Sequence, residues 1–496
     1  MNLSETTRDT GDAQRPVDVH AHGDSPVRPG RSTRYWILVI FVLVVLSEEV
    51  AYAFNLVTPA LPHIAQAFGT TQIAWVSTAF SLMGAVSAPL FGKLADKHGK
   101  KTWLLISAGL MALGSLTVLL APTYPILLIG RTVEGLGLGI VAITYSLMRD
   151  ILPPKMMALG VSLATAGIGV TGIIGPYIAG YLLDHHGYRG VFVFLLALPV
   201  IVGIAIAFIV PETPVRVHER INYVSALILG AAFGVLLFVL GEGGAWGWTS
   251  GKTIVGFLLG LAVLALWAVR EGKVAVPLID LKVVKSRALG LTMITNLVAQ
   301  AVITVQFVLL AYLVQVPREL GQTYGLGMNA EQMAGITSLA GLASVAMGFL
   351  VGWLAERVGA RIPNLVGFAL MALGSGLLAL THDTYGQVLV GYVVYAFGGG
   401  LVSAAIPNLV IAAVPPEQQA VSATTVGVVG SLGSTIAVQV TFAVLSLQIL
   451  QLIQGSPIYA EQGFTTIYWL SAAASVLAVL ATLAMRHGRR PMSVEA

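Results

Sequence analysis

The chain has 496 residues, of which 56% are hydrophobic and only 10% charged, with a formal net charge of +4 and no cysteine. A soluble domain carries about 25% charged residues because water must wet its surface, so most of this chain's surface faces lipid instead. The missing thiols exclude disulfides and thiolate metal sites. The basic residues fall in short groups between apolar runs, which suits membrane topology and not a phosphate-binding patch, so no nucleic-acid partner is expected.

Residues 1–33 are rich in Pro, Gly, Asp, Arg and His and almost free of large apolar side chains, which predicts a disordered tail. The apolar run from Tyr35 onward is longer than that of a signal peptide. Runs of the length that a spanning helix needs, about 20 residues, lie near 35–62, 72–92, 102–121, 126–148, 157–182 and 190–210, then 223–241 and 254–269. Six more lie near 288–314, 333–354, 363–381, 387–412, 420–448 and 465–485. The expected fold is an all-α membrane protein of about fourteen spans: a six-helix bundle over 34–212, two additional helices over 213–286, a second six-helix bundle over 287–486 and a short tail over 487–496.

An even count puts both termini on one side. Lys97, Lys100, Lys101, Arg149, Lys155, Arg216, Arg220, Arg270, Lys273, Lys282, Lys285, Arg287, Arg357, Arg361 and the basic tails then share that side, against Arg189, Lys252 and Arg318 on the other. Lys and Arg accumulate in cytoplasmic loops, so both ends are expected in the cytoplasm, with the protein in the inner (plasma) membrane.

The chain repeats itself. Gly92-Lys-Leu-Ala-Asp96-Lys-His-Gly99-Lys100-Lys101 reads like Gly352-Trp-Leu-Ala-Glu356-Arg357-Val-Gly359-Ala-Arg361, and Pro153-Pro154 corresponds to Pro415-Pro416 at nearly the same offset. Matched six-helix halves around a central cavity are one way to build a secondary transporter.

At these residues the sequence resembles the major facilitator superfamily. The loop between the second and third spans fits that family's signature. Arg131-Thr-Val-Glu134-Gly135 is similar to its fourth-helix pattern, and Gly175-Pro176-Tyr-Ile-Ala-Gly180, with Gly172 upstream, to its antiporter motif. The central pair of helices, with the loop Gly241–Trp248 and the segment Pro277–Leu281, resembles the fourteen-helix drug:proton antiporters. That subfamily's acid in the first helix is replaced here by Ala53, and the acids stand one turn earlier, at Glu48 and Glu49. The resemblance implies export of hydrophobic or cationic small molecules driven by a proton gradient, with no cofactor, no metal and a monomeric chain. Its partners would be substrate, protons and the lipid bilayer.

Ionisable groups at the bilayer centre cost about 2.5–3.5 kcal/mol on insertion scales, so Glu48, Glu49, Arg131 and Glu134 are the proton-coupling candidates. One or both helix-1 acids would take up protons; the competing reading is a structural carboxylate satisfied by a neighbouring helix. Arg131 and Glu134, at i and i+3, can pair, and such a pair could also simply lock helix packing. Asp96, with Lys100 or backbone N–H groups and with Asp150, forms the expected cytoplasmic gate, with Gly92, Gly99 and Lys101 in the same motif. Glu356, Arg357 and Arg361 make a weaker copy. The glycines around Pro176 predict close packing between halves, and Pro176 predicts a bend. Tyr52, Asn55, Tyr145, Asn296, Gln300, Gln306, Tyr392, Tyr395 and Asn408 are candidates to line the cavity, a core or lipid-facing role being the alternative for each.

No phosphate loop is present: Gly251-Lys252-Thr253 lacks the upstream glycine, where Trp246 stands. The rival readings are a proton-coupled metabolite importer or an exporter of lipid or siderophore-like products. A membrane-embedded enzyme would need polar residues clustered near one membrane surface.

Overall fold

The computed structural model describes residues 32–216, 222–274, 286–317, 324–415, 418–453 and 456–489. The 1–31 part of the N-terminal tail, Arg220, Pro277–Leu281, Lys282, Lys285, Arg318 and the end of the C-terminal tail lie outside the described residues, as does the side chain of Glu356.

Helix α1 runs in three consecutive segments, Thr33–Ser47, Glu49–Asn55 and Val57–Phe68, so it reaches six residues beyond the expected end. Then come α2 (Ala74–His98), α3 (Lys100–Leu119) and α4, which is Tyr124–Leu136, a tight turn at Gly137–Gly139, and Ile140–Ile151. One continuous element, Pro154–Ile209, follows. At 1.5 Å per residue it would be far longer than a bilayer is thick, about 30 Å, and it breaks at Gly187, whose φ of +64° is the left-handed region that favours glycine. We call the part before Gly187 α5 and the part after it α6. The break in this element is at Gly187, between the expected spans 157–182 and 190–210, and Pro176 lies inside α5.

The two additional helices are α7 (Tyr223–Trp246) and α8 (Gly251–Glu271). The second half comprises α9 (Arg287–Gln315), α10 (Ala330–Val358), α11 (Arg361–Leu380), α12 (Tyr385–Ile411), α13 (Gln419–Ser446) and α14 (Glu461–Leu483). Thirteen described helices are long and apolar enough to cross a membrane, and the division at Gly187 makes fourteen. The fold is an all-α, multi-pass membrane architecture of two six-helix bundles plus two helices. A short antiparallel hairpin, β1 (Ile449–Ile453) with β2 (Ser456–Tyr459), joins α13 to α14.

Among the described residues, the hydrogen bonds between the two halves gather at one end. Calling the end that carries residues 32 and 489 the terminal end and the opposite end distal, every described hydrogen bond between halves lies in the distal part. Gln315 Nε2 donates to Pro59 O (3.3 Å), Gln439 Nε2 to Thr78 Oγ1 (3.0 Å) and Ser338 Oγ to Ile173 O (2.6 Å). Along the α5–α10 seam the contact runs from Gly180 against Glu331, through Gly172 against Gly341, to Gly169 against Val345. Farther along the same face of α10, a Cβ at Gly348 or Gly352 would meet none of the described residues within 4 Å, and neighbouring Phe349 is 79% exposed. The described contacts between the halves therefore gather toward the distal end. Helix α7 lies beside the seam, with Gly230 against Val86 of α2 and Gly241 against Gln439 of α13, and α8 packs on α7.

Candidate functional site

The acidic centre is built where α1, α2, α3 and α4 come close. Two glycines permit it: a Cβ on Gly114 would sit 2.4 Å from the Glu134 backbone N, and one on Gly135 2.3 Å from Phe80 O. That approach lets Arg131 reach across α2. Its Nε donates to Val76 O (3.0 Å), its guanidinium lies 4.3 Å from the centre of the Phe80 ring, and Nη1 donates to Glu134 Oε2 (2.7 Å). The tight turn at Gly137–Gly139 follows directly, and short 3₁₀ segments inside helices often mark hinges.

Glu49, 0% exposed, lies within electrostatic reach of Glu134, and neither of its oxygens takes a hydrogen bond among the described residues. Oε1 of Glu134 is also left over. Glu48 is different: its Oε2 accepts from Thr171 Oγ1 of α5 (3.0 Å), and Gly167 makes room for its other oxygen. The two helix-1 acids thus face different neighbours, as the 100° between adjacent helical residues requires. Ala53 is fully buried apolar packing.

At the terminal end, Lys100 is buried and bridges two carboxylates, with Nζ 2.5 Å from Asp150 Oδ2 and 3.3 Å from Asp96 Oδ1. Gly99 holds the turn at φ +124°, a conformation open to glycine. Two residues that sequence reasoning missed complete the cluster. Thr213 Oγ1 donates to Asp150 Oδ2 (3.1 Å), and Glu212 accepts from the N–H groups of Lys101 and Thr102, capping α3. The signal for them was a Pro-flanked Glu-Thr pair, Pro211-Glu212-Thr213-Pro214, directly after a long apolar span. Lys101 Nζ donates to Ala207 O (2.7 Å) instead of joining the carboxylates. Gly92 faces open space.

The second copy is built otherwise. Arg357 stacks over Trp353 (3.9 Å to the ring centre), and Arg361 donates to Thr482 O (3.0 Å) and Leu483 O (2.6 Å) at the end of α14. Arg361 ties two helices of one half together rather than facing the other half.

Of the antiporter-motif residues, Gly172 and Gly180 abut α10, whereas Gly175 faces Tyr52 and Asn55 of α1. Tyr52 packs edge-on against Phe194. Several cavity candidates are instead engaged inside the second half. Asn296 Nδ2 donates to Val426 O (2.7 Å), Gln306 Nε2 to Ser375 Oγ (2.7 Å), and Tyr392 and Tyr395 are buried with ring centres 5.5 Å apart. Gln300 lies along α13, where its carbonyl accepts from Ser434 Oγ (3.3 Å). Asn408 donates to Ala404 O (3.1 Å) of its own helix, and Tyr145 is half-buried on α4. Gln439, whose amide links the halves through Thr78, was also missed; its only signal was an amide inside an apolar span.

Multidrug resistance protein Stp of Mycobacterium tuberculosis (strain H37Rv) is 31% identical to this chain over 398 residues, which cover 79% of this chain and 72% of that protein. The uncharacterized MFS-type transporter YcnB of Bacillus subtilis is 25% identical over 403 residues, 78% of this chain and 82% of that protein. Among solved structures, a POT family transporter in complex with a thioalcohol-conjugated peptide matches with a TM-score of 0.65 at 15% identity, over 90% of this chain and 95% of that one. A D-xylose-proton symporter matches with a TM-score of 0.63 at 14% identity, over 92% and 100%. These last two likenesses establish the fold alone. Residues 50–438 match the profile of the Major Facilitator Superfamily, and the chain belongs to that family.

Proposed function

We propose that the chain is a proton-coupled antiporter of the fourteen-helix drug:proton kind, exporting hydrophobic or cationic small molecules by alternating access. The observation that carries this reading is Glu49: a fully buried carboxylate without a hydrogen-bond partner among the described residues, near a second carboxylate, Glu134, that holds the Arg131 guanidinium. An ionised carboxylate stripped of water and partners costs several kcal/mol. One proton on Glu49 balances the trio of Glu49, Glu134 and Arg131.

With cytoplasmic termini, a state in which the halves are joined at the distal end, as the described hydrogen bonds join them, is the one that loads substrate from the cytoplasm and the inner leaflet. A cationic substrate arriving near the acids would favour release of that proton, and closure of the terminal end would carry the substrate outward. The Lys100 cluster shapes the N-terminal-half surface that closes there. A relative named for multidrug resistance and a second half with no ionisable residue well inside its expected spans both support bulky apolar or cationic cargo.

The test is uptake of a panel of lipophilic cations and neutral drugs into everted vesicles with an imposed proton gradient. Gradient-dependent accumulation that disappears in Glu49→Gln is expected. Accumulation that ignores the gradient would sink the proposal.

A further inference from the structure

Helix α10, like any α-helix, begins with amides that have no partner inside the helix. Its own cap serves one of them: Asn329 Oδ1 accepts from Gln332 N–H (2.9 Å), and Gln332 Oε1 accepts in return from Asn329 N–H (3.1 Å). The N–H groups of Ala330 and Glu331 go elsewhere. Both donate to Asp184, at 3.0 Å to Oδ1 and 3.0 Å to Oδ2. Asp184 belongs to the other half of the molecule, at the distal end of α5.

The surroundings are shaped for this contact. Gly180, one turn earlier on the same face of α5, lets the start of α10 come close; a Cβ there would lie 2.7 Å from the Glu331 Cα and 2.8 Å from its N. His185 Nδ1 lies 3.7 Å from Glu331 Oε1, so the second carboxylate at this spot faces a ring nitrogen rather than Asp184 alone. A negative charge at a helix N-terminus also gains from the helix dipole.

We propose that Asp184 is the distal latch: a positioning residue whose carboxylate completes the cap of α10 only while the halves are together at that end, and so governs how often it opens. This inference rests on the alternating-access reading above. When the distal end opens, carboxylate and amides return to water, so the latch biases the equilibrium without locking it.

The native chain has no cysteine, which makes a single thiol probe clean. Ser338 is 4% exposed and donates to Ile173 O across the seam, so a Ser338→Cys thiol meets a membrane-impermeant maleimide from the distal side only when the seam opens. In full-length protein in oriented vesicles, adding Asp184→Asn should raise the labelling rate about two- to thirtyfold, the range of one lost cap. Asp184→Glu, which keeps the charge, should return the rate close to that of Ser338→Cys alone. Gly180→Val, a wedge against the α10 backbone, should raise labelling whatever the role of Asp184. If the wedge raises labelling and Asp184→Asn does not, the latch is overturned and alternating access stands. Labelling by Asp184→Glu as fast as by Asp184→Asn also overturns the charge-and-cap argument. If neither the wedge, nor Asp184→Asn, nor substrate changes labelling, opening at this seam is refuted and the proposal with it.

Discussion

Arg131 donates to Glu134 at 2.7 Å one turn along the same helix, while the other oxygen of Glu134 takes no hydrogen bond among the described residues. The guanidinium is further fixed by Val76 O and by the face of Phe80, so it is held where it can serve one carboxylate fully and a second only by rearrangement. That relationship distinguishes the three acids near the middle of the membrane. Glu48 has Thr171, Glu134 has Arg131, and Glu49 has neither.

Gln at position 49 retains size and hydrogen-bonding capacity and cannot change charge. Glu49→Gln is expected to abolish gradient-driven accumulation in everted vesicles, leave substrate binding intact and flatten its pH dependence. Glu48→Gln should be milder, because Thr171 can still bond the amide. Normal coupling in the double variant at 48 and 49 would move the proton to Glu134.

Removing one partner of a buried ion pair costs about 3–5 kcal/mol, because the other charge is left uncompensated. Arg131→Met should therefore lower the melting temperature in detergent clearly, and adding Glu134→Gln should recover most of the loss. Transport should not return in that pair. Recovery of both stability and transport would reduce Arg131 to a packing residue.

Asp96→Asn takes away one of the two anions around Lys100, leaving the shorter contact to Asp150 in place. Expression should be normal and drug efflux lost. A Gly352→Cys probe, facing open space on α10, should label faster from the terminal side. Full efflux in this variant would return the motif to an ordinary charged loop.

Single cysteines at Ser4 and Ser493 should both react with impermeant maleimide only from the cytoplasmic side. Reaction from opposite sides is incompatible with an even number of spans.

The sequence by itself determined the class and the span count, because bilayer thickness sets the length of every apolar run and the loops interrupt those runs with charge. It also held the Asp96–Lys100 and Arg131–Glu134 pairs, since i, i+4 and i, i+3 spacings are local geometry. It ended the fifth span at 182 and began the sixth at 190, and the torsion that leaves the helix, at Gly187, lies between them, where no side chain forbids it. Only the tertiary structure decided that Asn296 and Gln306 bond within the second half, that Gln439 and Asp184 hold the two halves together, and that Glu49 has no hydrogen-bond partner among the described residues. The physical reason is the solvent. In lipid the outward and inward faces of a helix are both apolar, so hydrophobic periodicity cannot tell them apart, and a polar side chain finds its partner on a segment up to 361 residues away, as Gln439 does with Thr78.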